Sequence, residues 1–159
     1  MVNCQMMTDI EAVAAAIHET WRALSHRHGW SMQQHLDRPY AELADNDKDD
    51  NRAAARRMGD VLGVAGLRLS NDPAARPMPE GALESGIETM AEAEHNGWMS
   101  QRLRNGWSWA FARDDAAKQH PSILPYDQLS EKEKEKDRDS VRHYPEFAAR
   151  AGYRITPKD

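Results

Sequence analysis

Two short turns constrain this chain more than any other feature. Residues 27–31 read RHGWS, residues 104–108 read RNGWS, and the likeness extends outward from both. At an offset of 77, the distance from Trp30 to Trp107, Ile10 meets Ile87, Glu11 meets Glu88, Ala14 meets Ala91, His18 meets His95 and Trp21 meets Trp98. Past the turns the register lapses. It resumes at an offset of 86, the distance from Tyr40 to Tyr126, where Leu43 meets Leu129, Lys48 meets Lys134, Arg52 meets Arg138, Arg56 meets Arg142 and Gly66 meets Gly152. The second copy therefore carries nine more residues, the difference between the offsets, between its tryptophan turn and its Pro-Tyr. Repeated units bury their apolar faces against each other. The expected architecture is a pseudo-two-fold pair: residues 8–69, a linker at 70–81, and residues 82–156.

Each copy reads as mainly α, with a helix, a turn, a loop, a second helix and a short strand. Thr8-Asp9-Ile10-Glu11 has the form of a capping box at a helix start. Ile10, Val13, Ala14, Ile17, Trp21 and Leu24 then fall on one helical stripe, which assigns Trp21, and Trp98 in the second copy, to the core. Gly29 and Gly106 stand where a left-handed helix cap belongs. The second helices start near Asp45 and at Ser130-Glu131-Lys132-Glu133, another capping box, and end at Gly66 and Gly152. The apolar tails at 67–69 and 153–155 are expected to form small ribbons with the extended residues after Trp30 and Trp107. Pro145 disfavours helix at the residue before it and predicts a break near Tyr144. SNDPAARPMPEG at 70–81, with three prolines and no period, is the linker.

Composition narrows the function classes. No apolar run approaches the roughly 18–20 residues of a membrane span, and the N-terminus lacks the pattern of a signal peptide. The single cysteine, Cys4, has no internal partner, so the expected compartment is the cytoplasm. Net charge is −5 with no basic block, against duplex nucleic acid as partner. Seven histidines raise the question of a metal, yet no cysteine pair or HExxH supports one, and His26 and His28 map to Leu103 and Asn105 in the other copy. Neither a metal nor a cofactor is expected. No nucleophile elbow or phosphate-cradling glycine loop is present, so a non-enzyme is expected.

The second copy reads HxxW at 95–98, RNGW at 104–107, RDDAAKQHPSILPYDQLSEKEKEKDRDSVR at 113–142 and a glycine followed by Tyr-Arg-Ile at 152–155. This resembles the RyR domain, the repeat named for the ryanodine receptors and found also in small stand-alone bacterial and phage proteins. The first copy resembles a diverged member, keeping HxxW, GW and PY but lacking RDD and HP. In the second copy Lys136 stands where an aromatic residue often precedes Asp-Arg. The resemblance implies a mainly α unit of two packed repeats that binds an adenine nucleotide, or a signalling molecule derived from one, at their junction. It also implies a sensor or a sequestering protein, such as a phage sponge for an immune signal. A protein-interaction module, self-associating or not, is the other class these residues fit.

Residue by residue, two readings stand side by side. Trp30 and Trp107 either fold back on their helix caps or sandwich a base, since stacking on an aromatic is worth roughly 1–3 kcal/mol per base. Trp109, with Met32 at its place in the first copy, is a pocket wall or an interface residue. Arg113, Asp114 and Asp115 either grip phosphate and ribose or form a salt-bridged loop. His120 either bonds a ligand or pins that loop. Tyr40 and Tyr126 serve fold or pocket. Arg138 is a pocket candidate whose default is helix-surface pairing. With the polar loop in one copy only, one asymmetric site is expected.

Overall fold

A computed structural model gives the fold and describes residues 4–159, with side chains from Asp9 onward. It is mainly helical. Helix α1 spans Cys4–His28, α2 Asp45–Gly63, α3 Ala82–Ser85, α4 Ile87–Arg104, α5 Glu131–Arg142 and α6 Tyr144–Arg150. Four short strands interleave: β1 Leu67–Ser70, β2 Ser108–Trp109, β3 Gln119–His120 and β4 Arg154–Pro157. One apolar cluster joins both halves, with Val13 and Ala14 of α1, Met58 and Leu62 of α2, Met90 of α4, and Tyr144 and Phe147 of α6. Helix α1 packs on α2 and on α6, while α4 packs on α5 and on α2.

Local chemistry explains the element ends. Gly29 and Gly106 take φ of 64° and 87°, a region L side chains avoid. The following Trp30 and Trp107 amides donate back to the carbonyls of Ser25 and Arg102, at 2.9 and 3.0 Å, closing the helix ends as six-to-one turns. Ser130 caps α5 by accepting from the Glu133 amide at 3.2 Å. The Glu133 carboxylate, however, holds Ser122 and Lys136, so only one half of that capping box is built. Pro145 separates α5 from α6 at His143 as its position requires.

The same contacts occur in both halves. His18 Nε2 meets the Arg38 carbonyl at 2.7 Å, and His95 Nε2 meets that of Leu124 at 2.6 Å. Pro39 and Pro125 share one extended conformation, φ −55°, ψ 147° and φ −54°, ψ 147°. Each following tyrosine hydroxyl donates to a first-helix glutamate: Tyr40 to Glu11 at 3.1 Å, Tyr126 to Glu88 at 2.9 Å. Arg52 and Arg138 donate to those same glutamates.

Four expectations need correction. Helix α1 already includes Thr8; a helical residue cannot be an N-cap, and Glu11 is occupied by Tyr40 and Arg52 instead. The Thr8 side chain itself lies outside the described side chains. The ribbons also differ, for β1 and β4 pair with each other, antiparallel, with Leu69 opposite Ile155. Burying Leu67 and Ile155 in the common core decides that pairing. The strand after Trp107 pairs in parallel with β3 of its own insertion. Finally, Trp21 is 38% exposed because the C-terminal half of α1 overhangs a cleft. Trp98 is half-buried and lines the same cleft rather than the core.

Candidate functional site

The cleft lies where the two halves meet and has a volume of about 980 Å³, the size of a site for a small organic ligand. Helices α1 and α2 form one side, α4 to α6 the other, and the inserted loop between Trp107 and His120 the rim. Its aromatic wall is Trp98, Trp107 and His120, with Arg102 laid among them. The Arg102 guanidinium carbon lies 4.5 Å from the Trp107 ring centre and 5.5 Å from that of Trp98, within cation–π range of both. Trp98 and Arg102 are four residues apart on α4 and so share a face. Arg102 Nη1 is 3.2 Å from Asp50 Oδ2; its Nε is buried without a partner. Burial lowers its pKa against the pull of Asp50.

The floor is ionic. Arg57 of α2 donates to Glu94 Oε1 at 2.7 Å and Tyr144 to Oε2 at 2.6 Å. The two charged side chains are only 15% and 8% exposed. Gly97 leaves Arg57 room to cross α4, since a Cβ there would stand 2.8 Å from Arg57 Cδ. At the rim Arg113 forks onto Asp115 at 2.6 and 3.0 Å. His35, from the first half, reaches the same carboxylate at 3.0 Å. This is the salt-bridged loop, and it latches the insertion to the first half.

Of the expected site residues, the structure brings Trp107, Arg113, Asp115 and His120 together on the cleft. Asp114 lines a shallower neighbouring hollow, its backbone paired with Gln119 and its Oδ1 taking the Ala117 amide at 3.1 Å. Trp30 does not line the cleft. It stacks on His28 at 4.7 Å and meets Trp21 at a tilt at 5.3 Å, with Lys136 5.9 Å from its ring. Trp109 is 42% exposed and meets Phe111 edge-on at 4.6 Å. Tyr40, Tyr126 and Arg138 are held in the helix networks described above, away from the cleft. Arg102, Arg57, Glu94, His35 and Asp47 are cleft residues that the sequence reading missed. Only Arg102 had a local signal, its spacing from Trp98.

Two histidines of the cleft are displaced in opposite directions. Burial, with Arg113 and Arg102 nearby, pushes His120 down to about 4. Its Nδ1 accepts the Ser122 amide at 3.0 Å, so the neutral ring carries its proton on Nε2. Burial also opposes charge on His95, but the Asp137 carboxylate, 3.5 Å from Nδ1, and the Leu124 carbonyl outweigh it and raise the pKa. Between about pH 4 and 6.5 the unfolded chain holds a proton on residue 120 that the folded chain does not, so this contribution to stability grows with pH. His95 acts oppositely: its stabilisation is complete below about pH 6.5 and is lost as pH rises through the raised value. Imidazole NMR titration should place His120 well below 6.5 and His95 above it. A His95 midpoint below 6.5 would remove Asp137 as its partner.

Among the described residues no group of histidine, cysteine and carboxylate side chains is arranged to hold a metal. No helix there is long and apolar enough to cross a membrane. The family model for the RyR domain matches residues 78–157, which hold α3 to α6, the aromatic wall and the rim loop. With half of its length so matched, the chain belongs to the RyR domain family.

Proposed function

We propose that the chain is a tandem pair of RyR-like repeats that binds one adenine nucleotide, or a signalling molecule derived from one, in the cleft between them without transforming it. The tandem organisation is supported by the recurring His–carbonyl, Tyr–Glu and Arg–Glu bonds. It is supported too by Leu69 facing Ile155, its counterpart at the offset of 86, as a two-fold axis through the ribbon requires. The observation that carries the ligand reading is the aromatic wall, Trp107 backed by Arg102 and flanked by a neutral His120. A base lies against Trp107, with Trp21 and Trp98 on the surrounding walls. Arg113, held in plane by Asp115, and His120 Nε2 face sugar or phosphate. Binding serves sensing or sequestration.

A thermal-shift screen tests this with adenosine, AMP, ADP, ATP, ADP-ribose, its cyclic form and cyclic dinucleotides. Ligand at a hundred times its Kd adds about 2.7 kcal/mol, roughly 5–10 °C in a chain of this length. Calorimetry on the responding compound should then give one site per chain. A flat response across the series would reject the reading. A second reading has its own observation: Phe111 is 89% exposed beside Trp109, an aromatic pair suited to contact with another protein. Self-association abolished by Phe111→Ser, together with the flat screen, would favour it.

A further inference from the structure

We infer that the cleft selects for nucleoside-like ligands and against polyphosphates, because its walls offer no buried cation to spare. This rests on the adenine-nucleotide reading above. Every half-buried cation of the cleft is already matched within the chain: Arg57 by Glu94, Arg102 by Asp50, Arg113 by Asp115 and Lys136 by Glu133. The two remaining cations, Arg38 and Lys118, are exposed, and Lys118 Nζ donates to the Asn105 carbonyl at 2.9 Å.

The unmatched ionic group is a carboxylate. Asp47, in the first turn of α2, lines the cleft half-buried, and its side chain has no hydrogen bond or ion pair among the described residues. Burial raises its pKa, with Asp50 and Asp115 adding to it and His35 and Arg102 pulling against it. A phosphate drawn to Arg102 or Arg113 therefore approaches three carboxylates, Asp47, Asp50 and Asp115, and must share its cation with one of them. A base amine or ribose hydroxyl meets no such opposition and finds Asp47 free to accept from it. Charge on the ligand is tolerated at the rim, by Arg38 and Lys118, and opposed further in.

Calorimetry with adenosine, AMP, ADP and ATP, without divalent cations at about 0.1 M salt, tests this. Adenosine and AMP should bind within a few-fold of one another, and ATP at least tenfold more weakly than adenosine. Asp47→Asn should narrow the adenosine-to-ATP ratio roughly fivefold, the effect of one like charge at about 8 Å through an effective dielectric near 40. Affinity that is level or rises with phosphate number would overturn the inference while keeping the adenine reading. A ratio unmoved by Asp47→Asn would overturn it as well. If none of the four compounds binds, the adenine-nucleotide reading itself fails and this inference with it.

Discussion

Glu94→Ala is expected to cost about 3–5 kcal/mol of stability, the usual penalty for removing one partner of a buried ion pair. Glu94 is the acceptor for two groups that have no other among the described residues. Its loss leaves the Arg57 guanidinium in the floor with an Nε already orphaned, and the Tyr144 hydroxyl, in a residue 2% exposed, without the bond it makes at 2.6 Å. For this length the loss corresponds to a melting temperature lower by roughly 6–20 °C. The double variant Arg57→Met with Glu94→Leu should recover much of it, because an apolar pair carries no desolvation cost. Denaturant unfolding of Arg57→Met, Glu94→Leu and the double closes the cycle. A single-variant loss under about 1 kcal/mol would show that water reaches the pair and that it does not bind the halves together.

The second large effect concerns the ligand. Trp107→Ala is expected to weaken the responding adenine compound roughly 5- to 150-fold, the range of 1–3 kcal/mol for one stacked base. Trp30→Ala should change affinity less than about threefold, since that ring lies against Trp21 and His28 rather than on the cleft. Trp107→Phe should retain part of the affinity, which separates a lost stacking surface from a disturbed Arg102. Calorimetry of the three variants, each first checked for a cooperative melt, decides the matter. Equal losses in the Trp30 and Trp107 variants would instead point to a base held between the two turns.

What the sequence disclosed was what local chemistry governs. A glycine forced to positive φ marks Gly29 and Gly106, a serine cap marks Ser130, and a proline marks the break at His143. The mainly helical class rests on such points, and the RyR resemblance on HxxW, the tryptophan turn and the inserted loop. The ribbon was not legible, because four-residue strands carry no information about a partner 86 positions away; shared burial of Leu67 and Ile155 chooses it. Trp21 misled for a related reason. Helical spacing tells which face a residue occupies, not how far along the helix the core extends. Of the residues lining the candidate cleft, Trp107, Arg113, Asp115 and His120 were legible because they lie in a tryptophan turn and an inserted loop. Arg57 and Glu94 were not, since a charged residue on a helix defaults to solvent until another helix covers it.

Pairing β1 with β4 also delays completion of the fold until the chain is nearly finished. While a ribosome makes the 86 residues that separate Leu69 from Ile155, roughly 4–17 s at about 5–20 residues per second, α1 has no α6 to cover it and Leu67 has no strand beside it. The first half is thus expected to expose apolar surface until the second half arrives. Expressed by itself it should collect in the insoluble fraction, and coexpression with the second half is the condition under which it becomes soluble.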